Sequence, residues 1–295
     1  MESRHVPGTS ISLSVLSFSL PGRGPGDPTA DAPFILALLK RATSHGIRTI
    51  EGVEWEPIEE LPRYLLSALP APDRPAFVLG LNPTDLRKEA VALSPEWLER
   101  VVPVLDASIL ESASDPSVGK VVTASIDRLS VPAWGVRATT VEQALRVLPR
   151  AIELGARLIA VPMSLLSARG AHTLSDQVSN HPVGILAMDP YANGALNGGL
   201  LAEPFGRAPT FDGPIGVREV AQRFAPVARL GFLTEGHRRT LPQAAVRFLQ
   251  DLPGVVSVAC RFRDPREIDA MDRIPDVPRL SPNEERRVYG ASSGP

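Results

Sequence analysis

The segment Leu241 to Met271, LPQAAVRFLQDLPGVVSVACRFRDPREIDAM, constrains what this chain can fold into more than any other stretch. It reads helix, tight turn, buried strand, loop, helix. Pro242 suits a first helical turn, where its missing N–H costs nothing. Ala244, Ala245, Phe248 and Leu249 recur at helical spacing and define a core-facing stripe. Asp251 to Gly254 breaks that helix. Val255 to Cys260 is then a short β-branched run with the apolar character of a parallel strand covered on both faces. Asp264-Pro265-Arg266-Glu267 opens the next helix, with Asp264 as N-cap, Pro265 in the first turn and Glu267 as capping-box partner.

The same alternation runs along the rest of the chain and predicts a parallel sheet covered by helices. Strands are expected over Ser12–Leu20, Ile47–Val53, Ala76–Leu81, Gly119–Ala124, Ala133–Val136, Leu158–Met163 and Val183–Ala187, before the one at Val255. Helices are expected over Phe34–His45, Ile58–Leu69, Pro95 to about Ala113 behind the cap Ser94, and Val141–Leu154 behind Thr139 or Thr140. Only about ten residues separate the fourth and fifth of those strands, too few for a full crossover helix and its turns. A single α/β barrel of this length is ordinary, and either its fourth helix is shortened or missing or the strand assignment slips there. Its expected extent is residues 1–280, followed by a mobile polar tail over 281–295. Asn193 to Pro214, rich in Gly and Pro, reads as a long loop.

Composition excludes several classes. A net charge of −2 lacks the basic excess of a nucleic-acid-binding surface. No run approaches the ~20 apolar residues of a membrane span. Cys260 is the sole cysteine, which rules out internal disulfides and makes a cytoplasmic address the expectation. Five His and one Cys show no metal-ligand spacing. Lysine occurs only at 40, 88 and 120, which restricts where a catalytic ammonium can stand.

Several collinear segments between Gly8 and Met271 resemble the aldo-keto reductases. His45-Gly46-Ile47-Arg48-Thr49-Ile50-Glu51 looks like that family's approach to its second strand. Leu105-Asp106-Ala107-Ser108-Ile109-Leu110 is similar to its helix-three motif, and Trp134-Gly135-Val136-Arg137 to its fifth strand. Ile185 to Leu201, ILAMDPYANGALNGGLL, resembles the strand-seven segment that lines the cofactor groove, and the C-terminal run above resembles the last barrel unit. The resemblance implies a (β/α)8 TIM barrel using NADP. In active members the cofactor gives hydride to a carbonyl, a Tyr tuned by a Lys and an Asp supplies the proton, and a His orients the substrate.

Carried over residue by residue, those four positions differ. The Asp position is Glu51. The Tyr position is Glu56, with Trp55 just before it, the Lys position is Leu81, and the His position is Ala124 or Ser125. Tyr64 lies in a predicted helix and Lys88 lies seven residues past the third strand, so neither substitutes readily. Losing a general acid costs on the order of 10²–10⁴ in rate. On the cofactor side, Asp189 falls in the strand-seven segment. Arg137-Ala138 replaces a Ser-Asn pair and Ala160 replaces a Gln. Arg261 and Arg263 precede a helix N-terminus, where backbone N–H groups and guanidinium forks suit a phosphate. Exposed arginines in an Arg-rich chain are the bland reading of that pair.

Glu51, Glu54, Glu56, Glu59 and Glu60 crowd the second βα loop, at the face where barrel sites form. Crowding raises carboxyl pKa values, whereas a solvated helical first turn would explain the same run. Two functional expectations follow. In the first, a divergent barrel has lost standard carbonyl reduction and acts in binding or regulation, with a residual nucleotide-phosphate site, or in non-standard acid/base chemistry around Glu51. In the second, an active NADP(H)-dependent oxidoreductase reduces aldehydes or ketones with a non-standard proton donor. The expected partner is a small-molecule ligand, a nucleotide or another protein.

Overall fold

Eight parallel strands close into a barrel in the computed structural model, which describes residues 1–20, 32–52, 75–81, 99–111, 116–129, 131–197 and 225–292. A two-stranded antiparallel hairpin, β1 (Ser3–His5) and β2 (Ser12–Ser14), precedes the barrel. The barrel strands are β3 (Leu16–Ser19), β4 (Thr49–Gly52), β5 (Ala76–Leu81), β6 (Val101–Asp106), β7 (Gly135–Arg137), β8 (Leu158–Pro162), β9 (Gly184–Met188) and β10 (Val255–Cys260). They pair in chain order, and β10 closes on β3 through Val258–Leu16 and Cys260–Phe18. The covering helices are α1 (Ala32–Ser44), α2 (Ala107–Glu111), α3 (Pro116–Leu129), α4 (Val141–Glu153), α5 (Ala168–Val178), α6 (Leu241–Asp251), α7 (Pro265–Asp272) and α8 (Pro282–Ala291).

The C-terminal unit forms as its sequence dictates. Thr240 caps α6 in a capping box with Gln243, and Ala244, Ala245, Phe248 and Leu249 are buried. The chain turns at Gly254, whose φ of 75° lies in the left-handed region that glycine tolerates without strain. All six residues of β10 are buried. Asp264 then caps α7 by accepting the Arg266 N–H at 2.8 Å.

The fourth barrel strand is Val101–Asp106 rather than Gly119–Ala124. Pro103 masks it, because a proline cannot donate to the ladder and argues against a central strand, yet it pairs in register with Leu79. The β-branched run at 119–124 is instead part of α3, where Val122 is buried and Thr123 donates its hydroxyl to the Gly119 carbonyl at 3.0 Å. The crossover therefore carries helices α2 and α3, so the expected helix over Pro95–Ala113 gives way to strand and α2 in its described part. The expected helix Ile58–Leu69 lies outside the described residues, as does the loop from 198 to 214.

The segment after Leu280 is also not a free tail as far as Ser292. It forms α8, capped by Ser281 in a capping box with Glu284, with Val288 buried and the Tyr289 ring edge-on to Phe248. Its polarity reflects an amphipathic helix with one docked face. Arg239, nearly buried, anchors that end of the fold. It donates to the carbonyls of Leu233, Pro278 and Arg279 at 3.1, 3.2 and 3.4 Å and pairs with Glu284.

Two apolar clusters result. The larger fills the shell between barrel and helices. The smaller fills the barrel interior with Val78, Val102, Val104, Leu158, Ala160, Leu186 and Met188. Val6, Ile11 and Leu13 of the hairpin region join this interior cluster and plug the N-terminal end of the barrel. Arg4 pins the plug by donating to the carbonyls of Gln250 and Val255 at 3.0 and 2.7 Å.

Candidate functional site at the barrel mouth

Side chains alternate along a strand, so the residues beyond the interior cluster can be read from register. Ser19 pairs with Glu51, Glu51 with Val78, and Arg137 with Ala160. All three therefore share the interior face at the C-terminal end, joined by Asp106, the register partner of Arg137. Barrel sites form at this end. Opposite the polar arc, Ala160, Pro162 and Met188 extend the interior face of β8 and β9 and make an apolar arc.

Glu51 is the centre of the polar arc. It is almost wholly buried, and a buried carboxylate requires a counter-charge and hydrogen bonds. Ser19 donates its hydroxyl to Glu51 Oε2 at 2.6 Å. Arg137 brings Nη2 to 3.0 Å from Oε1. That approach is charge against charge rather than a well-aligned hydrogen bond, and Oε1 has no hydrogen-bond partner among the described residues. Arg137 Nη1 also lies 3.5 Å from the Gly52 carbonyl. The Glu51 side chain is 3% exposed and that of Arg137 22%, so the guanidinium covers the carboxylate and faces outward.

Local sequence explains the placement of Arg137. Gly135, two residues earlier, lies so close to β8 that an added Cβ would stand 2.4 Å from the Leu158 carbonyl oxygen. Only glycine permits this approach, which sets β7 in register to deliver its last residue to the mouth.

The other residues singled out from the sequence divide. Glu56 and Trp55 lie outside the described residues, as do Tyr64 and Lys88. Asp189 follows β9 with a φ of 46°, unusual for a non-glycine residue, and both its carboxylate oxygens accept the Asn193 N–H at 2.9 and 2.8 Å. It organises its own turn. Past β10, the Arg263 N–H goes to Glu267 Oε2 at 2.7 Å, and Asp264 takes the Arg266 N–H. The α7 N-terminus thus directs its donors onto its own carboxylates. The position at the end of the fourth strand is Asp106, not Ala124 or Ser125, because that strand is Val101–Asp106. Correspondingly, Leu105–Leu110 spans the β6–α2 junction rather than a third helix.

Tyr191 is not at the mouth. It belongs with Cys260 to the cluster between barrel and helices. Burial pushes its phenol well above the ordinary value, and the hydrogen bond to Cys260 raises it further. Burial likewise pushes the Cys260 thiol up to about 12, partly offset by the bond from Tyr191. Neither group exchanges a proton near neutrality.

Sequence reasoning missed Ser19 and the role of Asp106. Arg137 was visible as a substitution, but its pairing with Glu51 joins strands far apart in the chain. The only signal available was parity: both residues lie on the inward face near the C-terminal ends of their strands.

This arrangement is a parallel (β/α)8 barrel with a charged cluster at the carboxyl ends of its strands. No family model matches the sequence, and no curated protein matches it. Solved structures do. The aldo-keto reductase AKR11C1 from Bacillus halodurans, in its holo form, superposes with a TM-score of 0.70 at 14% identity, covering 99% of this chain and 96% of that one. The thermostable aldo-keto reductase Tm1743 gives 0.68 at 15% identity over 99% and 100% of the two chains. The glycerol dehydrogenase AKR11B4 from Gluconobacter oxydans gives 0.65 at 17% over 98% and 94%. The chain has the aldo-keto reductase fold.

Proposed function

We propose that this barrel has exchanged carbonyl reduction for the binding of a small polar molecule at its mouth. One observation carries the reading: the cation beside Glu51 is Arg137, from the fifth barrel strand, while Leu81 ends the third. A guanidinium keeps its proton throughout the physiological range and cannot take part in a proton relay. It orients and binds instead. Ser19, Glu51 and Arg137 form a fixed, internally neutralised cluster suited to holding a ligand rather than turning it over.

The residues at the positions assigned to NADP do not fit that group well. Ala160 offers no hydrogen bond to a nicotinamide amide, and the α7 N-terminus is self-capped by Asp264 and Glu267. Among the described residues no helix is long and apolar enough to cross a membrane. The sole cysteine, Cys260, is free and buried, which supports the proposal of a cytoplasmic ligand-binding protein.

NADPH fluorescence titration, followed by turnover of an aldehyde and ketone panel, tests the proposal. The expected result is weak or absent cofactor binding and no turnover. Micromolar binding with turnover would overturn it, and would establish an active NADP(H)-dependent oxidoreductase drawing its proton from a non-standard donor.

A further inference from the structure

The neighbours Asp106 and Arg137 carry opposite charges on adjacent strands, in register and on the same face. Such a pair would ordinarily close into a salt bridge, since paired strands stand about 4.8 Å apart. Here it does not. Arg137 turns to Glu51 and the Gly52 carbonyl, and Asp106 accepts the Ser108 N–H at 2.8 Å. No ion pair joins Asp106 to Arg137 among the described residues. Two opposite charges therefore stand side by side at the mouth, and both reach solvent: Asp106 is exposed and Arg137 is partly exposed.

We propose that this gap receives a small α-amino acid in its zwitterionic form, with the carboxylate on Arg137 and the ammonium on Asp106. The inference rests on the reading that the mouth binds rather than reduces. Charge selects the ligand class. Glu51 already neutralises Arg137, and Asp106 adds a further negative charge. A plain carboxylate would meet one guanidinium between two acids, and a plain amine would leave the remaining guanidinium donors without an acceptor. A ligand bearing both signs on neighbouring atoms satisfies both groups. Arg137 retains donors beyond its contacts with Glu51 and Gly52, and a planar fork is the geometry that recognises a carboxylate. Gly80 leaves the inward position on β5 without a side chain. Pro162, partly exposed, with Met188 beside it on β9, offers an apolar surface at the mouth, which favours an aliphatic or thioether side chain.

Titration calorimetry with L-leucine and L-methionine tests this on the full chain. The two half-ligands, 4-methylpentanoate and 3-methylbutylamine, serve as the discriminating probes. Both amino acids should bind, and each half-ligand should be at least tenfold weaker than leucine. Asp106→Asn and Arg137→Met should each weaken leucine tenfold or more. Arg137→Met perturbs the buried carboxylate and so the fold. Asp106 is exposed, and its Asn variant keeps the test valid, with circular dichroism confirming native structure. The proposal is overturned by 4-methylpentanoate binding as tightly as leucine, by Asp106→Asn leaving leucine affinity unchanged, or by an absence of heat with both amino acids. Aldehyde turnover with NADPH is a separate failure, because it removes the binding reading on which the inference stands.

Discussion

Replacing Arg137 with Met keeps most of the aliphatic stem and removes the cation over Glu51. Breaking a buried pair from one side costs about 3–5 kcal/mol, because the remaining charge is left uncompensated. Exposed pairs are worth about 0–1 kcal/mol. Here the carboxylate is 3% exposed and the guanidinium side chain 22%, which places the pair nearer the buried limit but below it. Arg137→Met should therefore cost about 2–4 kcal/mol. Glu51→Gln removes the charge but keeps an acceptor for the Ser19 hydroxyl, and should cost less, about 1–2 kcal/mol. The double variant has no stranded charge and should be more stable than Arg137→Met alone, giving a coupling of about 1–3 kcal/mol. Urea unfolding with a shared m-value reads all four proteins. An Arg137→Met variant within 0.5 kcal/mol of the parent on the order-of-magnitude scale of exposed pairs, or a double variant as unstable as the sum of the singles, would refute the reasoning.

Two further outcomes follow from buried groups elsewhere. The folded thiol of Cys260 sits at about 12 against about 8.5 in the unfolded chain, so its contribution is complete below pH ~8.5 and is lost as pH rises towards 12. Stability should fall by about 1.4 kcal/mol per unit between pH ~8.5 and ~10, before Tyr191 contributes, and Cys260→Ala should flatten that slope. Equal slopes for parent and variant in urea titrations would remove the thiol as the cause. Arg239→Met should strip three carbonyls and Glu284 of their donor, costing about 3 kcal/mol and loosening α8. Unchanged amide exchange across residues 282–291 would contradict that anchor.

Most of the barrel was legible because its signals are local. Capping boxes, β-branched runs and helical stripes lie within a dozen residues of one another, as from Thr240 to Met271. The fourth strand was hidden by Pro103, whose local preference is overridden by pairing with β5 and β7. The run at Gly119–Ala124 erred the other way: packing, as at Val122, places a strand-like composition on a helix. The polar tail read as free because α8 has only one apolar stripe, and its dock is formed by distant residues such as Arg239 and Phe248. At the mouth, sequence identified Glu51 as the position to watch. Its counter-ion was beyond reach, since inward parity says which residues face the centre but not which of them touch.

The hairpin plug carries a kinetic consequence. With Val6, Ile11 and Leu13 stoppering one end of the barrel and side chains filling its interior, the mouth is closed from below and no tunnel crosses the centre. Whatever settles on Arg137 must depart by the route it arrived, so two molecules cannot queue through the centre. A tightly held occupant there would bar every competitor until it left.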